Sequence, residues 1–183
     1  MQSSATEQQT ADLRYPVGNF EWSGSTTPEE RQSYLGVLAK APDLLRQAVA
    51  GLNDSQLDTP YRPDGWTVRQ VVHHVVDSHM NSYIRFRLAL TEENPTIKPY
   101  DEALWAQLPD ANGPLVETSL CLLDCLHKRW IALLSVLSEQ QWLRTLHHPE
   151  SGTMSLDKVL AIYAWHSRHH VAHINNLRAR MGW

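Results

Sequence analysis

Two histidines near the end of the chain have the spacing of metal ligands. His166 and His170 are four residues apart, so on an α-helix their imidazoles lie on one face, one turn apart. They continue an apolar stripe of that helix, whose other members are Val159, Tyr163, Ile174 and Leu177. An unpaired imidazole that faces a protein interior is costly, but two neutral imidazoles at this spacing can share one divalent metal ion. The pattern therefore predicts a metal site.

The same helix carries a second pair of histidines, and an earlier segment carries three more. His169 and His173 share the four-residue spacing but lie towards the edge of the stripe. We rank them second as ligands and expect them at the surface, in the pocket or in support of the ligands. A metal held by two histidines needs a third protein ligand. The candidates are His73, His74 and His79. His79 lies nearest the middle of the valine-rich stripe of its segment and the other two flank it, so periodicity leaves the third ligand open.

These histidines are predicted to lie on two of four long helices. The first helix should begin at Thr27, because Glu30 completes a capping box and Pro28 suits the first helical position. It should end before Gly51, and Pro42 should kink it or split it in two. The predicted spans of the other three are Thr67 to about Leu90, near Pro114 to Leu137, and Ser155 to Met181.

The connections between these helices are long. Residues 51–66, 92–113 and 138–154 each exceed the usual loop of a helix bundle, and each holds a short helical turn, such as residues 101–108. Loops of this length allow a crossover topology and can line a cavity at one end of a bundle. We therefore predict one all-α domain over residues 15–183, a four-helix bundle with long connecting loops, preceded by a loose arm over residues 1–14.

Composition and charge exclude several classes of protein. The net charge is −4, with 16 basic and 20 acidic residues, which argues against a nucleic-acid partner or an anionic membrane surface. No run approaches the roughly 18 apolar residues that cross a bilayer, and the polar N-terminal segment lacks a signal-peptide core. We therefore expect a cytoplasmic protein without a membrane partner. Cys121 and Cys125 lie four apart on one predicted helix, where their side chains do not point at each other and a disulfide is disfavoured. We therefore predict that both are reduced thiols in the core.

Several motifs are similar to those of one known family. They lie at residues 58–62, 65–74 and 77–86, with further matches at residues 15–18, 99–102, 148–149, 165–170 and 180–183. Together they cover nearly the whole chain after residue 14, and they resemble the YfiT-type branch of the DinB-like superfamily. The resemblance implies a four-helix bundle in an up-down-down-up order, usually a homodimer, with a divalent metal ion on three histidines.

Transferred by motif, the three implied metal ligands are His74, His166 and His170. The choice of His74 goes against the apolar stripe, which favours His79. Three neutral histidines leave coordination positions open, as in a catalytic site, so the implied catalytic group is a metal-bound water or a thiolate. Zinc is the expected ion, and nickel, iron or cobalt suit the same donors. The resemblance implies a metal-dependent hydrolase that acts on a small molecule.

Two other functions fit the same residues. One is a metal-dependent S-transferase that joins a low-molecular-weight bacterial thiol to an electrophile, and the other is a dimeric helical protein that only binds a metal or a ligand. Polar residues at one-turn spacing from His74, on the second predicted helix, could line the pocket or orient a ligand. The alternative is that they form an exposed polar side of that helix. These residues are Asp77, Ser78, Asn81 and Arg85.

Overall fold

The structure, a computed structural model, describes residues 12–113 and 115–183. Over these residues the architecture consists of four long helices: α1 (Pro28–Val49), α3 (Val68–Thr91), α5 (Val116–Leu134) and α7 (Leu156–Met181). Three short helices lie in the connections: α2 (Asp54–Leu57), α4 (Glu102–Trp105) and α6 (Glu139–Trp142). A 3-10 turn at Pro109–Ala111 precedes α5. The predicted four-helix bundle and the short helical turns in its connections are thus confirmed.

Side-chain caps determine where the helices begin. The Thr27 side chain accepts a hydrogen bond from the backbone of Glu30, whose carboxylate accepts one from the Thr27 backbone. Thr67 and Gln70 form the same reciprocal pair at the start of α3. Both predicted capping boxes are therefore present. The predicted start of the third helix, Pro114, lies outside the described residues, and α5 begins two residues later without a side-chain cap.

The directions of α1, α5 and α7 follow from hydrogen bonds between them. Arg31 near the start of α1 binds Asp157 near the start of α7. At the other end of both helices, Arg178 donates to the carbonyl of Ala48, so α1 and α7 are parallel. Helix α5 runs the opposite way, because its first turn contacts the end of α1 through an ion pair and its middle contacts the middle of α1.

Helix α3 runs in the same direction as α5. His73 contacts Ser119 and His79 contacts His127, so positions advance together along the two helices. On the side of α7, by contrast, His74 contacts His166 whereas the later Ser78 contacts the earlier Tyr163. The order is therefore up-down-down-up, as the resemblance implies. Helices α1 and α3 each pack against α5 and α7 and occupy opposite corners of the bundle.

Two apolar clusters fill the bundle, and the histidines of α7 lie between Tyr163 of one cluster and Ile174 of the other. One cluster contains the first turns of α3, from Val68 to Val76, and the end of α7 at Ile174 and Leu177. The other contains the end of α3 around Phe86 and the start of α7. Within the described ranges, no helix is both long enough and apolar enough to cross a membrane.

Some predictions about local structure were wrong. Helix α1 continues through the buried Pro42, so it does not split there, and the alternative of a kink stays a prediction. Leu38 and Leu45 on either side are both packed in the core. Such packing offsets the roughly 3 kcal/mol that an interior proline costs. Helix α5 ends at Leu134, three residues before its predicted end. The predicted arm falls outside the described residues except for residues 12–14, so its boundary stays a prediction.

The connection before α7 contains a hairpin that the sequence pattern did not indicate. Strands β1 (Thr145–His148) and β2 (Gly152–Ser155) pair antiparallel. Each strand buries only one residue, Leu146 in β1 and Met154 in β2, and an alternation that short gives almost no periodic signal. The hairpin is attached to the loop after α3 through a hydrogen bond from the Ile97 amide to the carbonyl of His147.

The cysteines are exposed, so their predicted place in the core was wrong. The buried face of α5 repeats at steps of three and four residues, through Leu120, Leu123, His127, Trp130 and Leu134. Cys121 and Cys125 lie beside this face rather than on it. Cys121 instead donates a hydrogen bond to Glu117 at the surface, with an Sγ to Oε1 distance of 3.2 Å.

Candidate metal centre

Three histidines from two antiparallel helices converge at one point. His74 comes from α3, and His166 and His170 come from α7; each offers a ring nitrogen, and these nitrogens lie within 4.8 Å of one another. The Nε2 atoms of His74 and His166 are 3.2 Å apart. Donors around a tetrahedral zinc ion with Zn–N bonds near 2.0–2.1 Å are separated by about 3.4 Å. The number, type and spacing of the donors therefore fit a divalent metal ion.

The structure groups His74, and not His79, with the pair on α7. His79 is completely buried, and its Nε2 lies 3.2 Å from the Nδ1 of His166, on the far side of that ring from His74. His79 therefore supports a ligand ring from behind. The apolar stripe pointed to His79, the most deeply buried histidine of α3, whereas the partly exposed His74 is the one whose ring nitrogen meets those of α7.

The three histidines lie in the wall of an open cavity of about 530 Å³. Aromatic side chains form much of the rest of the wall: Tyr61, Trp66, Tyr100, Tyr163 and Trp165. Arginines and two carboxylates also border it: Arg14, Arg62, Arg85, Glu102 and Glu150. A cavity of this size admits a small molecule, so a ligand can reach the converging nitrogens.

Burial keeps the imidazoles of this group neutral. It lowers the pKa of His74 to about 4, and it lowers the pKa of His166 and of His170 well below the ordinary value. The indole of Trp66 packs on the His74 ring at 4.5 Å between centroids and contributes to this desolvation. A neutral imidazole has one nitrogen lone pair to give to a metal, so the three rings are in the state that metal binding requires near pH 7.

His169 and His173 extend the histidine group along the cavity wall. Ring nitrogens of His169, His170 and His173 also lie within 4.8 Å of one another. His173 donates from Nε2 to the backbone carbonyl of Arg14 and stacks on Tyr61 at 4.0 Å, while His169 stacks on Trp165 at 4.4 Å. The Nδ1 atoms of all three histidines are buried without a hydrogen-bond partner. Both edge histidines are thus buried in contact with the site, and the expectation that they lie at the surface was wrong.

The polar residues predicted on α3 divide into two sets. Ser78 and Arg85 border the cavity, whereas Asp77 and Asn81 are not part of its wall. The Asn81 amide donates to the backbone carbonyl of Asp77, an interaction within the helix. Burial and the nearby Asp110 raise the pKa of Asp77 to about 6.

Sequence reasoning missed two features of the site. The aromatic wall combines two residues of α7 with residues of two separate loops, and nothing in local sequence connects these segments. His127, the second feature, contacts His79 with a distance of 2.7 Å between His127 Nε2 and His79 Nδ1. A signal for it existed, because a histidine on the centre line of the apolar stripe of α5 is the same pattern that singled out His166.

The fold and site define a four-helix-bundle protein with a histidine group, suited to a divalent metal ion, at the wall of an open cavity. The chain belongs to the DinB superfamily, whose family model matches residues 38–174. A protein of Bacillus mycoides (strain KBAB4) named "Putative metal-dependent hydrolase" is 55% identical over 172 residues, which cover 94% of this chain and 99% of the relative. A relative from Bacillus cereus (strain B4264) with the same description matches to the same extent.

Solved structures agree with this assignment. YfiT from Bacillus subtilis, described as "a probable metal-dependent hydrolase with an unusual four-helix bundle topology", has a TM-score of 0.91 and 52% identity, over 93% of this chain and 98% of its own. TT2238, described as a four-helix bundle protein, has a TM-score of 0.54 at 19% identity over 84% of this chain and 99% of its own, and supports the fold alone. The resemblance predicted from the motifs is confirmed.

Proposed function

We propose that this protein is a divalent-metal-dependent hydrolase in which His74, His166 and His170 hold one metal ion per chain. The observation that carries the proposal is the convergence of three neutral imidazole nitrogens, within 4.8 Å of one another, at the wall of an open cavity. A structural zinc site is normally closed by four protein ligands. Three ligands beside a cavity leave room for a water molecule and a substrate. The names of the relatives support the same reaction class.

The chain's own residues bind and orient a small substrate in this proposal. When bound, a divalent metal ion supplies Lewis acidity that brings the pKa of a coordinated water close to neutral. Burial raises the pKa of Tyr100 to about 12, so its phenol stays protonated and can donate a hydrogen bond to a carbonyl oxygen. Arg85 provides a positive charge at the same cavity. Both groups would orient a polar carbonyl compound and limit its motion.

Zinc is the ion that we propose, because nitrogen donors at near-tetrahedral spacing suit it, and nickel, iron and cobalt accept the same donors. Turnover then needs no thiol. The S-transferase alternative would need a low-molecular-weight thiol as co-substrate, and the names of the relatives do not favour it. A homodimer and a cytoplasmic location, expected from the sequence, stay predictions.

Metal analysis combined with a substrate screen tests this function. Protein purified without added metal is examined by atomic emission, stripped with a chelator, and reloaded with zinc, nickel, iron or cobalt. Each form is then offered a panel of esters and amides, with and without a small thiol. We expect about one ion per chain, and hydrolysis that disappears on stripping and returns on reloading without thiol.

The control variant lies one residue away from a proposed ligand. His74→Ala should lose hydrolysis, whereas His73→Ala, whose side chain contacts Ser119 on α5, should keep it. Turnover that depends on the thiol would overturn hydrolysis in favour of S-transfer. Metal-loaded protein that is inactive against both panels would support the protein that only binds a ligand.

A further inference from the structure

A row of hydrogen bonds crosses the bundle behind the proposed metal centre and includes all four long helices. It begins at the backbone carbonyl of Leu38 on α1, which lies 2.7 Å from Nδ1 of His127 on α5. Nε2 of His127 lies 2.7 Å from Nδ1 of His79 on α3. Nε2 of His79 lies 3.2 Å from Nδ1 of His166 on α7. The row thus connects a backbone group to a proposed ligand.

The carbonyl at one end determines the direction of every bond in the row. A carbonyl oxygen only accepts, so Nδ1 of His127 carries the hydrogen. A neutral imidazole has a single N–H, so Nε2 of His127 accepts, and Nδ1 of His79 must donate to it. By the same argument Nε2 of His79 accepts from Nδ1–H of His166. The remaining nitrogen of His166, Nε2, is then a lone pair on the side of His74, where the nitrogens converge.

The rings of the row are neutral because they are buried. His79 is completely buried and His127 is 2% exposed. Burial lowers the pKa of His127 to about 4, although the Leu38 hydrogen bond and the more distant Asp124 act in the opposite direction. His79 is packed between Trp130 and Tyr163, with ring centroids at 5.9 and 5.2 Å.

We propose that His127 and His79 are positioning residues that hold His166 in the tautomer whose Nε2 lone pair faces the metal. This inference rests on the proposed metal site. A reversed row would place a hydrogen on Nε2 of His166, which would remove the lone pair and point an N–H at His74. It would also leave the Leu38 carbonyl facing a lone pair at 2.7 Å, an unsatisfied buried acceptor. The backbone of α1 thereby selects the binding form of a ligand on α7.

The row also differs from the environment of the other ligand on α7. His166 has an acceptor for its Nδ1–H, whereas Nδ1 of His170 is buried without a hydrogen-bond partner. Groups that orient a metal-binding histidine through its second nitrogen typically change metal affinity 10–100-fold when removed. We expect an effect of this size from breaking the row at His127, which touches none of the proposed ligands.

Nuclear magnetic resonance tests the direction of the row without any metal. In metal-free protein with ¹⁵N-labelled histidine, the Nδ1 and Nε2 signals of each ring report which nitrogen carries the hydrogen. We expect Nδ1–H for His127, His79 and His166. A spectrum in which His166 carries its hydrogen on Nε2 would overturn the proposal, whatever the behaviour of the variants.

Zinc titration of variants tests the consequence. His127→Phe removes the acceptor for His79, whereas His127→Gln retains a donor and an acceptor in one side chain. His73→Phe is the matched control, since it replaces a buried histidine that contacts Ser119 instead of the row. We expect zinc binding to weaken 10–100-fold in His127→Phe and to recover largely in His127→Gln. The control should bind as the unaltered protein does, and circular dichroism verifies that each variant folds.

The outcomes separate this inference from the proposed function. If the unaltered protein binds zinc and His127→Phe binds equally well, the positioning role is wrong and the three-histidine site stands. If the control weakens as much as His127→Phe, the effect is general core damage, which also overturns the role. If the unaltered protein binds none of the offered ions, the proposed metal site is wrong and the positioning role with it.

Discussion

The histidine group and the Arg31–Asp157 ion pair both use side chains of α7, but their polar atoms are satisfied in different ways. Arg31 donates to both oxygens of Asp157, at 2.7 and 3.0 Å, and to Glu139 at 2.7 Å. Its guanidinium also lies over the ring of Trp142, 5.1 Å from the centroid. The histidine group instead brings three ring nitrogens within 4.8 Å of one another, and several neighbouring nitrogens have no partner.

This difference indicates what each cluster is for. Buried polar atoms that find all their partners inside the protein stabilise or specify the fold. Buried polar atoms that converge without a partner are costly, and they are explained by a ligand that completes them. The ion pair is closed, and the histidine group is open to a cavity. Substitutions should therefore affect folding at the first cluster and metal binding at the second.

The largest expected effect is the loss of metal binding when a ligand is removed. His166→Ala, His170→Ala and His74→Ala should each abolish stoichiometric binding, since two imidazoles hold an ion far less tightly than three. The fold should persist, because four amphipathic helices supply the buried apolar area. Atomic emission measures the metal, and circular dichroism with urea unfolding measures the fold. His73→Ala is the control that should keep its metal. A ligand variant that unfolds would show that the two clusters are not separate in function.

The next expected effect is a loss of stability without a loss of metal binding. Asp157→Asn leaves the guanidinium of Arg31 buried with only the exposed carboxylate of Glu139 as a partner. Breaking a buried pair in this way costs about 3–5 kcal/mol, so urea unfolding should show a loss of that size while zinc stoichiometry stays unchanged.

The control for this change is Glu139→Gln. Because Glu139 is mostly exposed, its removal should cost no more than about 1 kcal/mol. Loss of zinc binding in folded Asp157→Asn would show that the ion pair also maintains the metal centre.

The smallest of the three effects is a pH dependence that belongs to the histidines. Burial lowers the pKa of His127 from 6.5 to about 4. Below pH 6.5, His127 therefore binds a proton in the unfolded chain but not in the folded chain. The contribution of His127 to the free energy of unfolding is therefore fully present above pH 6.5, and it is lost as the pH falls towards 4. A shift of this size corresponds to about 3 kcal/mol.

Urea unfolding of metal-free protein at a series of pH values measures this effect. His127→Gln, which has no ionisable group at that position, should lose less stability between pH 6.5 and 4 than the unaltered chain. Identical pH profiles would mean that His127 is not held neutral by burial.

Local sequence determined the helices and the pair of ligands on α7. The capping boxes at Thr27 and Thr67 act between residues three apart, so they can be identified without knowing the fold. The same holds for His166 and His170, because the geometry of a single helix places residues four apart on one face. The resemblance to a known family added the order of the helices and the third histidine.

Only the tertiary structure decided what lies between helices. The apolar stripe of α3 identifies the residue that is buried most deeply, which is His79, but a ligand must reach a cavity that α7 and separate loops enclose. The role of His127 depends on a carbonyl of α1 that is 89 residues away along the chain. The exposure of Cys121 depends on which face of α5 meets its neighbours. Periodicity reports how far a side chain lies from solvent, whereas a site depends on which side chains meet, and that is set by the packing of one helix on another.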